Sequence, residues 1–151
     1  MTTTATAPHP SETRHPFDDA PVVHRYTRSD AIRDGMLADV TETAREAGFS
    51  IPVAITAAVQ DQCVRWTEDD ARRKPRVHQD EDGRLWDVLW MAACRSREIV
   101  RSRRHASTAL FQVIVVPRPG HGRQRLRTLK IVIDPGDAGE PVATIMLPNE
   151  D

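Results

Sequence analysis

The chain has 151 residues, 39% of them hydrophobic and 28% charged, which is enough for one domain with one core. No apolar run approaches the roughly 18–20 residues that a membrane-spanning helix needs, so no membrane partner is expected. The net charge of −1 hides an asymmetry. Of 21 basic and 22 acidic residues, ten and one fall between Arg95 and Lys130, so a segment of net +9 sits in a remainder of net −10. Such a split marks a surface for an anionic partner, or else a basic segment that neutralises an acidic one within the same fold.

The chain opens on Thr, Pro, Ala and His without hydrophobic period, which predicts a disordered tail over 1–21 and a single domain over 22–151. Met1 to Pro16 carries no apolar core behind a positive stretch, so a secretory signal is not expected and the expected compartment is the cytoplasm. There the lone Cys63 and Cys94 stay reduced thiols, a disulfide between them being the alternative.

Tyr26 to Gly35 reads as a short helix with Ser29 as N-cap and Gly35 as its stop. Met36 to Val40 reads as extended, and Thr41 caps a second helix, Glu42 to Ala47, that ends at Gly48. A third helix is predicted from Pro52 to about Trp66, with Ile55, Val59, Cys63 and Trp66 on one face. Thr67 to Asp70 can cap a further turn before Pro75, and Lys74 to Gly83 is polar enough to be a loop. The fourth helix, Arg84 to about Arg104, has a core stripe of Leu85, Val88, Leu89, Ala92, Ser96 and Ile99. Trp86, Trp90, Arg97, Arg101 and Arg104 gather on one flank of that stripe.

Three β-rich runs follow, Leu110–Val116, Thr128–Asp134 and Pro141–Leu147, bounded by Pro and Gly. The expected fold is therefore α+β, a helical N-terminal two-thirds packed on a C-terminal three-stranded antiparallel β-meander.

The candidate binding residues follow from chemistry. Arg118, Arg123, Arg125 and Arg127, with His121, would project from a first β connection loosened by Gly120 and Gly122. Arginine forks match phosphates, and tryptophan faces such as Trp86 and Trp90 can stack bases, so nucleic acid is a possible partner beside an unknown protein. A pI of about 6.6 lacks the basic footprint of a nucleic-acid binder. Asp80-Glu81-Asp82-Gly83 lacks the ligand alternation of a calcium loop, and His24, His78, His105 and His121 are too scattered for a zinc site. No metal or cofactor is expected. Asp87, between Trp86 and Val88, is the one acid–base candidate, provided that a pocket encloses it.

Several strings carry a family resemblance: Asp39-Val40-Thr41-Glu42-Thr43-Ala44-Arg45-Glu46-Ala47-Gly48-Phe49, Gly83-Arg84-Leu85-Trp86-Asp87-Val88-Leu89-Trp90-Met91, and the ending from Pro135-Gly136-Asp137 to Leu147-Pro148. From about Tyr26 to Asp151 the chain resembles a family of small bacterial proteins of unknown function, often found on plasmids, phages and integrated elements. The resemblance implies an accessory protein of a mobile element acting by protein–protein contact. A nucleic-acid-binding protein is the alternative, and a small enzyme using Asp87 a third. It implies no activity and no cofactor.

Overall fold

The computed structural model describes residues 25–101 and 106–151, so the predicted tail, His24, His105 and Arg104 lie outside the described residues. Helix α1 (Arg28–Arg33) leads to strand β1 (Leu37–Asp39) and helix α2 (Thr41–Glu46). Strand β2 (Val53–Thr56) runs into a single turn, α3 (Ala57–Val59), and a π-helical turn over Gln60–Val64. Helices α4 (Glu68–Arg73) and α5 (Glu81–Arg101) precede strands β3 (Thr108–Val115), β4 (Arg125–Pro135) and β5 (Pro141–Met146).

The expected three-stranded antiparallel meander is corrected here to one five-stranded mixed sheet, ordered β1-β2-β5-β4-β3. β3, β4 and β5 pair antiparallel in sequence, but β2 adds to the far side of β5 in parallel, with Val53, Ala54 and Ile55 opposite Ala143, Thr144 and Ile145. β1 then pairs antiparallel with β2. The predicted third helix is where sequence and structure part. All four residues of β2 are buried, as expected of a strand covered on both faces. Such a short continuous apolar run has no period that separates strand from buried helix. Ile55, Val59, Cys63 and Trp66 are all buried as the helical face implied, but on a strand, a capped turn, a π turn and the segment two residues beyond it. Thr56 makes the switch, its hydroxyl accepting the Val59 amide at 3.3 Å.

Helix α1 is capped by Thr27 rather than Ser29. Thr27 Oγ1 accepts the Asp30 amide at 3.0 Å while the Asp30 carboxylate accepts the Thr27 amide at 3.1 Å, a reciprocal capping box. Ser29 and the Arg28 amide instead bond Asp137 in the β4–β5 turn. Arg28 reaches on across the sheet to Thr144 Oγ1 and Ala143 O. Glu150 accepts from Thr56 Oγ1 and the Leu147 amide, so the C-terminal residues cover the same face.

The opposite face carries the core. Val88, Leu89 and Ala92 of α5 meet Phe111, Val113, Leu129, Ile131 and Ile145 of the sheet, with Val59 and Cys63 of the connecting turns. No helix among the described residues is long and apolar enough to cross a membrane. Ile145 is fully buried in the central strand. Ile145→Ala is expected to lower unfolding free energy by about 2–5 kcal/mol in urea titrations, with the denaturant slope unchanged.

Candidate functional site

Trp86, Trp90 and Arg97 do come together on α5. The two indoles stack with centroids 5.9 Å apart and planes 20° apart, and the Arg97 guanidinium lies 5.2 Å from the Trp90 centroid. Trp86 comes from four residues toward the N-terminus and Arg97 from seven toward the C-terminus. A base-stacking platform needs an open ring face; Trp90 is 43% exposed, with Trp86 stacked on it and Arg97 against it. Arg97 is also held by the backbone, its Nη2 donating to Ala47 O at 2.7 Å.

Beside Arg97 opens a cavity of about 430 Å³ between the C-terminal half of α5, the Gly48–Ile51 segment, the start of β3 and the end of β4. Phe49, Ile51, Ile99, Ile131 and Ile133 supply apolar wall, and Arg97 and Arg101 the charge. Gly48 has φ +101°, and a Cβ there would stand 2.6 Å from Arg97 Nη2. Glycine thus serves twice, by adopting the left-handed backbone and by leaving room for the guanidinium.

The other basic residues lie elsewhere. Arg84 in the first turn of α5 donates to Val116 O, so the β3–β4 connection abuts the N-terminal end of this helix. Arg97 stands thirteen residues farther along, roughly 20 Å at 1.5 Å per residue. The fold therefore separates Arg118, Arg123, Arg125 and Arg127 from Arg97 and Arg101. Arg118 is committed within the fold, Nε to Asp70 at 2.9 Å and Nη1 to Asp61 at 3.0 Å. Arg123, Arg125 and Arg127 are exposed and have no ion pair with a described residue. They border two clefts of about 460 Å³, one with Arg73, Arg118 and Arg127, the other with His121, Arg123 and Arg125. Gly122 is docked rather than loose: φ is +79° and a Cβ would stand 2.8 Å from Val77.

Under this loop lies a polar knot that the sequence reading did not assemble. Lys74, in the predicted loop, is buried, donates to Arg118 O and lies 5.4 Å from the Trp66 centroid. Arg84 lies 5.1 Å from the same ring and donates to Val64 O, Val116 O and Gln79 Oε1. Asp70 is fully buried at the third position of α4. Burial by itself would raise its carboxyl pKa. Hydrogen bonds from the Thr67 amide and hydroxyl, then from Arg118 and Arg73, outweigh that and hold the group well below the usual carboxylate range.

Asp87 is exposed, and its neighbour Arg84 spends its hydrogen bonds on carbonyls and Gln79 rather than on Asp87. The enclosing pocket that acid–base work calls for is not formed around it by the described residues. Burial pushes the Cys63 thiol up, against the lowering influence of Arg127 and Arg84, which disfavours the nucleophilic thiolate.

A surface that sequence reasoning missed lies on the outer face of β3 and β4. β3 alternates exposed and buried along its whole length, which leaves Leu110 at 54% and Ile114 at 58% exposure. Ile114 sits directly opposite Leu126, itself 58% exposed. Ser107 O accepts the Ile133 amide, so by antiparallel alternation the backbone groups of Thr108, Leu110, Gln112 and Ile114 turn to the free edge of the sheet. Arg95 Nε bonds one of them, Leu110 O, at 3.1 Å. The one available signal was Gln112, whose polarity assigns its side of the strand to solvent and so takes Leu110 and Ile114 with it.

Asp70 gives a pH prediction. A group with a depressed folded pKa stabilises fully above its unfolded pKa, about 3.9, and that contribution is lost as pH falls toward the folded value. Asp70→Asn should lower the melting temperature at pH 7 and flatten the loss of stability between pH 5 and the acid limit, as read by thermal melts across pH.

No curated protein and no solved structure matches the chain. A family model does match, over residues 14–151, which begins twelve residues before Tyr26 and takes in the whole described fold. The chain thus belongs to the DUF6573 family, a family of unknown function.

Proposed function

We propose that this chain is a binding protein working in the cytoplasm by protein–protein contact, in the accessory role on a bacterial mobile element that its resemblance implies. The observation that carries this is the apolar patch of Leu110, Ile114 and Leu126 beside the free edge of β3. Scattered exposed apolar residues need no explanation, but three on one sheet face beside a strand edge that no described strand pairs make a surface suited to a partner strand. The edge is also guarded. Arg95 across Leu110 O is the kind of charge that blunts non-specific pairing, so a partner must displace or accept it.

A photo-crosslinking residue at Ile114 or Leu126, introduced in the organism that encodes the protein, should yield one discrete adduct. The same residue at exposed Glu42 on α2 should not. Ile114→Lys with Leu126→Lys should abolish the adduct from a probe at Leu110 while moving stability by no more than about 0.5 kcal/mol per site. Equal adducts at Ile114 and Glu42 would sink the proposal.

A second reading, nucleic-acid binding, draws support from Arg123, Arg125 and Arg127. Arg125 and Arg127 are two residues apart on one side of β4, roughly 7 Å along the strand. Duplex DNA held by three such contacts should show a log–log salt slope of about −3, reduced by about 2 in Arg125→Gln with Arg127→Gln. The absence of any mobility shift at low salt would end this reading.

A further inference from the structure

We propose that the cavity at the C-terminal end of α5 is a binding site for a small amphipathic carboxylate, its apolar chain inside and its carboxylate on Arg97 and Arg101. At about 430 Å³ the cavity falls within the roughly 300–1,000 Å³ of small-molecule sites. Its walls are apolar, from Phe49, Ile51, Ile131 and Ile133, and such walls select hydrocarbon. Among the described lining residues the ionisable side chains are Arg97 and Arg101 and none is acidic, so charge complementarity selects an anion. A guanidinium presents paired N–H donors at the spacing of carboxylate oxygens.

Arg97 is built into this position rather than drifting over it. Its bond to Ala47 O, its contact with Trp90 and the missing Cβ of Gly48 fix the group at the rim. Those restraints occupy one Nη2 hydrogen and one face, leaving other N–H donors for a ligand. The site lies on the helix-covered side of the sheet, opposite the Leu110–Ile114–Leu126 patch, so it stands independently of the contact function.

The test uses decanoate below its micelle concentration, titrated into the full chain by calorimetry and followed by tryptophan fluorescence, which reports on Trp90 beside Arg97. The expected result is saturable binding at one site per chain, with decanol bound at least about tenfold more weakly because it lacks the charge. Arg97→Gln should weaken decanoate by about tenfold, and Arg101→Gln, at an exposed position, by severalfold. Absent or unsaturable binding overturns the proposal, as does equal binding of decanol or unchanged affinity in Arg101→Gln. So does a chain that is dimeric by light scattering and made monomeric by Val100→Asp, since a second copy would then fill the cavity.

Discussion

β5 is the strand on which the sheet depends. It begins exposed at Pro141 and is buried from Val142 to Met146, so both of its faces and both of its edges must be satisfied. β4 supplies one edge, and only β2, from almost ninety residues earlier, supplies the other. An unpaired buried amide or carbonyl costs as much as a lost hydrogen bond, so this parallel pairing ties the N-terminal elements to the C-terminal strands. With β2 in place, the turns after Thr56 are carried over the core, and α5 closes it from Val88 to Ala92.

Two surfaces follow from that arrangement because β3 is left at the edge. On the helix side, the ends of β3 and β4 and the Gly48–Ile51 segment leading into β2 leave a gap under the C-terminal half of α5. On the outer side, α1 and the C-terminal residues cover β2 and β5 through Arg28 and Glu150 but do not extend to Leu110, Ile114 and Leu126. The cavity and the apolar patch are thus products of incomplete cover at the same edge, one on each face.

The basic segment divides by the same geometry. Arg118 turns inward to Asp70 and Asp61, and so neutralises acid within the fold. Arg123, Arg125 and Arg127 face out at one end of α5, while Arg97 and Arg101 frame the cavity at the other. A run that is continuous in sequence is divided because β3, eight residues and roughly 27 Å long, carries the chain from the C-terminal end of α5 to the connection beside its N-terminal end.

By itself the sequence determined what local pattern can determine. The long amphipathic helix was legible from its stripe of Val88, Leu89 and Ala92, and the three C-terminal β runs from their alternation and bounding prolines and glycines. The proximity of Trp86, Trp90 and Arg97 was legible too, because i+4 and i+7 neighbours share a helix face. Tertiary structure alone decided that Val53–Thr56 is a strand, since a four-residue apolar run takes its conformation from the partner it meets, here β5. It also decided that Trp66, Asp70, Lys74, Arg84 and Arg118 form one knot, and that Leu110 and Ile114 are left uncovered. Those outcomes depend on which residues distant in sequence are brought within a few ångströms, and that is set by strand order rather than by any local period.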